Sequence, residues 1–181
     1  MTAPGVIYSD FDGVHNVPER RGLLAATVPT AGSKFFREET TIRWDREILE
    51  LFTEFLRASD FELEWLTTWN EHSLIHQAVR GMEFPHTAHA PAALDHKARG
   101  SKEWTAWKAR HIITDQRRNP RPFIWIDDKA PFFWREVVEQ STSAPSLIIA
   151  TDSISGLTRE EILEMVLWLE GVRSGQKQNS S

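Results

Sequence analysis

GVIYSDFDGVHN, residues 5 to 16, decides how the rest of the chain is read. Val6, Ile7 and Tyr8 form a short β-prone run that stops at two acids one residue apart, Asp10 and Asp12, followed by Gly13. This predicts a buried strand that ends in a site. If the strand continued to Asp12, its period of two would send both carboxylates to the same side. Neighbouring carboxylates repel unless a cation lies between them or one holds a proton, so the pair points to a divalent-metal or acid–base site. Gly13 lets the backbone turn where that site must stay open. Acids after a strand are also ordinary turn formers and helix caps, so the pair alone carries little weight.

The remainder of the chain supplies the context. With 181 residues and no cysteine, one domain without disulfide or thiolate metal site is expected, in keeping with a reducing, cytoplasmic setting. No signal peptide and no bilayer-length apolar run is visible, so no membrane association is expected. The net charge of -5 argues against bulk nucleic-acid affinity and leaves room for a local basic patch. Residues 17 to 44 hold Pro18, Gly22, Pro29 and Gly32 among short β-prone pieces without helical period, which predicts a two-stranded flap near the acidic pair. Asp45 is placed to cap a helix over 46–58, whose apolar stripe reads as core.

FELEWLTTW, residues 61 to 69, predicts a second strand, with Phe61, Leu63 and Trp65 alternating with Glu62 and Glu64 and a polar end at Thr67 and Thr68. Asn70 can cap a helix over 71–81. Strand, helix and strand in alternation imply right-handed crossovers and a parallel sheet, which binds ligands at the carboxyl ends of its strands. His72, His76, His86, His89 and His96 lack a third zinc ligand at fixed spacing and read as a solvated face and loop. Ser101 reads as the N-cap of a helix over 102–114, with Lys102 in the first turn, where free N–H groups favour an anion. Lys97, Arg99, Lys102, Lys108, Arg110, Arg117, Arg118 and Arg121 stand against only Glu103 and Asp115 in this region, a local excess suited to steering a phosphate-bearing or polynucleotide substrate. FIWIDD, residues 123 to 128, predicts a third buried strand with Asp127 and Asp128 at its tip, and SLIIAT at 146–151 a fourth. Thr158 and Glu161 have capping-box spacing at the head of a last helix, and residues 174–181 read as a disordered tail beyond a 1–173 domain.

Taken in order, VIYSDFDG, the threonine-ended EWLTTW, a helix-start lysine and IWIDD resemble the motifs of the haloacid dehalogenase-like hydrolase superfamily. WLTTWN, FIWIDDKAP and TDSISGLT are most similar to a small capless branch of bacteria and phages whose relatives include phosphatase domains of RNA-repair proteins. The resemblance implies a three-layer, Rossmann-like α/β fold with a parallel sheet flanked by helices, a β flap and no large cap domain. It also implies a Mg²⁺-dependent phosphatase in which Asp10 is the nucleophile, forming an aspartyl-phosphate, and Asp12 the general acid and base. Thr67, or Thr68 if the strand ends one residue later, would bind the phosphoryl oxygens. Lys102, or alternatively Lys97, would neutralise their charge. Mg²⁺ would be held by Asp10, the Asp12 backbone carbonyl and the acidic pair, with Asp128 the preferred direct ligand and Asp127 its helper. The inserts are too short for a lid, so the site is expected to be open to a macromolecular phosphate such as an RNA or DNA end; no protein partner is identifiable.

Three other readings compete. A phosphoacceptor signalling domain carries its acidic pair on the first strand and its lysine on the last, an order not found here. Phosphonate and haloacid hydrolysis lack, respectively, a lid lysine and a reason for the second aspartate. A non-enzymatic phosphate-, nucleic-acid- or protein-binding module that keeps the fold is the principal alternative.

Overall fold

The computed structural model describes residues 5–18, 21–30, 38–84 and 100–178. Four strands, β1 (Val6–Ser9), β4 (Glu62–Trp65), β5 (Phe123–Asp127) and β6 (Ser146–Ala150), form one parallel sheet in the order β4-β1-β5-β6. β2 (Leu24–Pro29) and β3 (Glu39–Trp44) form a separate antiparallel hairpin. The two central strands are buried along their whole length, VIYS and FIWID, whereas β4 at the edge alternates exposed or half-buried glutamates with buried Leu63 and Trp65. That is the contrast expected between strands covered on both faces and a sheet edge.

Strand parity splits the core into two. Val6, Tyr8, Phe123, Trp125 and Ile148 pack on one face under α3 (Gly100–Arg118) and α4 (Ala130–Ser141). Ile7, Leu63, Trp65, Ile124, Ile126 and Ile149 pack on the other, under α1 (Arg46–Ser59) and α5 (Arg159–Gln178), with α2 (Leu74–Gly81) and the hairpin beside them. The result is the three-layer, Rossmann-like arrangement. α1 forms where expected: the Asp45 carboxylate accepts from Glu47 N at 3.0 Å and Ile48 N at 3.4 Å, and Leu49, Phe52, Phe55 and Leu56 face the sheet. Replacing fully buried Phe52 by Ala would cost about 3–5 kcal/mol. At the other end of the chain, Thr158 and Glu161 form the expected reciprocal cap, and α5 continues to Gln178, past the position where a tail was expected.

Two local expectations change. α3 already includes Ser101, so that serine stands inside the helix rather than capping it. Asn70 does not cap α2: a 3-10 segment, Thr68–Ser73, comes first, and Asn70 donates to Trp65 O at 2.8 Å instead. The 17–44 excursion forms the β2–β3 hairpin, its base tied to the first loop through Arg43 N to Asn16 Oδ1 (2.8 Å) and Val17 N to Arg43 O (3.0 Å). Among the described residues there is no large cap domain, and no helix is long and apolar enough to cross a membrane.

Candidate active site

β1 and β5 are in register, with Tyr8 beside Trp125 and Ser9 beside Ile126. Continuing the alternation one step sends Asp10 and Asp127 to the same side as Tyr8 and Trp125, the side covered by α3. Lys108 meets them there from α3, its Nζ 2.5 Å from Asp10 Oδ2 and 2.5 Å from Asp127 Oδ2. All three residues are buried, but not equally: the Asp127 side chain is fully enclosed, while Asp10 keeps 12% of its side-chain surface. Asp127 is saturated as well, since its Oδ1 accepts from Lys129 N (2.9 Å) and Ala130 N (2.7 Å) at the start of α4. Of the two acids that hold Lys108, Asp10 is therefore the one a reactant can touch.

Burial pushes the Asp10 carboxyl up to about 7, with Lys108 opposing the rise and Asp127 adding to it. Burial alone would lower Lys108, but the two carboxylates outweigh it and hold the ammonium above the ordinary lysine value. Asp10, Asp127 and Asp128 each offer an oxygen within 4.8 Å of the others. Three carboxylates against two ammoniums, buried Lys108 and the exposed Lys129 at 3.6 Å from Asp128, leave an excess of negative charge, and a set of hard oxygen donors suits a cation of the Mg²⁺ type. A metal ion is typical of this fold family, and the residues present fit one.

Asp12 does not share a side with Asp10 by strand periodicity, because β1 ends at Ser9 and Asp12 lies in the turn that follows. Its carboxylate is held by Asn16 Nδ2 at 2.7 Å and Trp69 Nε1 at 2.9 Å and stands outside the carboxylate cluster. Burial raises its pKa, and the two donors pull it back. Gly13, at φ +71°, is required on two counts: the left-handed backbone, and the Asp128 carboxylate, whose Cγ would lie 2.6 Å from a Cβ at this position. Burial, and then the neighbouring Asp127, raises Asp128 in turn. Behind Asp10, Ser9 Oγ donates to Asp10 O at 2.8 Å and stands 3.1 Å from His15 Nε2. The turn is closed from the far end of the chain, by Thr151 Oγ1 donating to Gly13 O (2.7 Å) and Leu157 N to Val14 O (2.9 Å).

The other expected residues fall out as follows. Thr67 is fully buried, with Oγ1 accepting from Trp69 N at 3.4 Å, and half-buried Thr68 opens the 3-10 segment. Leu66 N donates to Ser9 O at 2.8 Å, which brings both threonines to the edge where Asp10 stands. Lys97 lies outside the described residues, and so does the side chain of Lys102; the lysine in the site is Lys108, two turns into α3. Sequence reading had left it among the basic run. Its helical phase was the available signal, for Thr105, Lys108, Ala109, Ile112 and Gln116 share one buried face. The contacts of Asn16 and Trp69 with Asp12 also went unread. Of the basic run, Lys97, Arg99 and the Lys102 side chain lie outside the described residues, and four of the described members do not flank the site. Lys108 is internal, Arg121 pairs with Asp115 (3.2 Å) and Glu62 (3.7 Å), and Arg117 and Arg118 end α3 at the opposite, amino edge, where Pro122 O meets Val6 N. His86, His89 and His96 and the His72 side chain lie outside the described residues, while His76 is exposed on α2.

A parallel sheet with an acid pair at the tip of one central strand, a second pair at its neighbour and a lysine between them defines a haloacid dehalogenase-like hydrolase domain of the phosphatase type. Residues 6–162 match the model of a particular family within it, the HAD domain in Swiss Army Knife RNA repair proteins, and the chain belongs to that family. No curated protein and no solved structure gives a significant match.

Proposed function

We propose that the protein is a Mg²⁺-dependent phosphatase that hydrolyses a phosphate monoester at a nucleic-acid end through an aspartyl-phosphate. The observation that carries this is the unequal pair around Lys108, in which Asp127 is sealed and saturated and Asp10 remains reachable. An Asp10 oxygen attacks phosphorus as the bond to the leaving oxygen breaks, and Asp12 gives that oxygen its proton. Asp12 then takes a proton from water as the water oxygen attacks phosphorus, releasing phosphate and restoring Asp10. The raised pKa of Asp12 suits a group that must hold a proton at the start. Lys108 takes the electrostatic role first given to Lys102, balancing charge on the transferred phosphoryl group, and the Thr67 hydroxyl donates to its oxygens. Asp10, Asp128 and the Asp12 carbonyl would hold Mg²⁺, with Asp127 orienting Lys108 and the start of α4. The bound ion supplies positive charge that keeps Asp10 ionised and offsets its repulsion of the phosphate.

Two things support the substrate class. The carboxyl edge carries no large cap among the described residues, and the family is described by its occurrence in RNA repair proteins. The test is phosphate release from 5′- and 3′-phosphorylated RNA and DNA, a phosphopeptide, p-nitrophenyl phosphate and sugar phosphates, with Mg²⁺ or with chelator. Asp10→Asn, Thr67→Val and Thr68→Val are run beside the parent. Release that needs Mg²⁺ and Asp10 and favours oligonucleotides is expected, with Thr67→Val the more damaging threonine change. Equal release by Asp10→Asn would overturn the mechanism, and a preference for sugar phosphates the substrate class.

A further inference from the structure

The most exposed large apolar side chain among the described residues is Phe132, at 84%. A single exposed apolar residue needs no explanation in general. Phe132 differs in where it stands, on the first turn of α4, four residues after the candidate metal ligand Asp128. It walls a groove of about 610 Å³ that begins at Asp128 and runs between Phe133 and Arg135 on α4 and Ala150 at the end of β6. The ring is braced by Phe133, at 90° and 5.1 Å between centroids, so it is supported from the protein side and open to solvent. Pro131 beside it is buried and fixes the backbone that carries it.

The groove is charged on the side a polyanion needs. Arg135 is anchored at its wall by Nη2 donating to Ile148 O at 2.8 Å, and Lys129, whose side chain is 67% exposed, reaches within 3.6 Å of Asp128. Asp128 and Glu136 also line the groove, so Arg135 in its wall and Lys129 beside it are set among two acids rather than in a wholly basic field. An aromatic face next to cations, with no array of donors and acceptors to read base edges, is the chemistry of sequence-independent binding to single-stranded nucleic acid. The arginines at the far edge of the sheet cannot serve this purpose, but this groove reaches the candidate metal ligand Asp128.

We propose that Phe132 is a stacking platform for the base of the terminal nucleotide of a phosphorylated single-stranded nucleic acid, its phosphate lying at Asp10 and Asp128. This rests on the phosphatase reading of the same site. Exposure also makes the ring safe to alter, since Phe132→Ala removes little buried surface and places a better helix former in α4.

The experiment compares kcat/KM on oligonucleotides phosphorylated at either end, in which the terminal nucleotide carries a base or is abasic. A phosphopeptide serves as a further substrate. In the parent protein the base is expected to raise kcat/KM by about 5- to 150-fold, the range that stacking of one base on one ring supplies. Phe132→Ala should remove that advantage and leave the abasic substrate little changed, Phe132→Trp should restore it, and Leu163→Ala on the exposed side of α5 should leave it intact. Phosphate release with a base advantage equal in the parent and Phe132→Ala would overturn this inference alone and leave the phosphatase standing. A loss confined to the phosphopeptide would overturn it in favour of a protein substrate. No release from any substrate by the parent would bring down the phosphatase reading, and this inference with it.

Discussion

Replacing His15 by glutamine should remove one particular component of acid sensitivity. Ser9 has a single hydroxyl proton, and Asp10 O takes it, so His15 Nε2 must carry the hydrogen that joins it to Ser9 Oγ. The ring is 6% exposed and is packed against Phe52 at 4.9 Å and Trp65 at 5.3 Å. Burial lowers its pKa to about 3. The unfolded chain takes up a proton at this residue as pH falls through about 6.5, and the folded chain does not. Stability is therefore lost on acidification, with a slope approaching about 1.4 kcal/mol per pH unit below about pH 6.5 and a sum of about 2 kcal/mol between about pH 7.5 and pH 5. Asp10, Asp12 and Asp128 act in the opposite sense, because raised carboxyls favour the folded state at low pH and lose that contribution as pH rises. They are common to both proteins, so the difference between parent and His15→Gln isolates the histidine. Glutamine keeps a donor for Ser9 and loses some ring packing, a cost independent of pH. Urea unfolding between about pH 7.5 and pH 5 should show the advantage of the parent shrinking by about 2 kcal/mol. A constant difference over that interval would refute the assignment of His15 as a buried neutral group.

Gly13→Ala forces a Cβ against the Asp128 carboxylate at a left-handed φ, and displacement of that acid by about 1 Å should cost on the order of 10²-fold in kcat/KM; near-normal turnover would show that Asp128 is not needed where it stands. Trp69→Phe keeps the ring beside Phe11 but removes a donor that lowers the pKa of Asp12. The limb of the pH–rate profile governed by Asp12 should move upward, and superposable profiles would separate Asp12 from that limb. Asp45→Ala should cost about 1 kcal/mol in denaturant unfolding through loss of the α1 cap, without altering turnover.

Features set by short-range pattern were legible in the sequence. FELEW reads as a strand because its alternation is written in adjacent residues, and Asp45 reads as a cap because its partners are two and three residues away. Asp10, Asp127 and Asp128 were legible because strand order brings strand tips together. Lys108 was not, since its role depends on which face of α3 meets the sheet, and that choice is made by Tyr8, Ile112 and Trp125 across long separations. The lysine expected at a helix start followed a local rule about free N–H groups, whereas the observed one answers two buried carboxylates. The place of Arg117 and Arg118 was hidden for a related reason: a count of charges along the chain does not say which end of a helix faces the ligand edge.

The bond from Thr151 to Gly13 spans 138 residues of chain, and Leu157 N reaches back to Val14 in the same place. During synthesis the first acidic loop leaves the ribosome well before the groups that clamp it. Until then Gly13 O and Val14 O have only solvent to bond. The nascent chain can build its sheet from β1, β4 and β5 while its reactive loop is still unset. A chain interrupted between residues 128 and 151 would thus keep every acid of the site and lack the clasp that holds them in order, so a complete site would arrive with the last strand of the sheet rather than with the first motif.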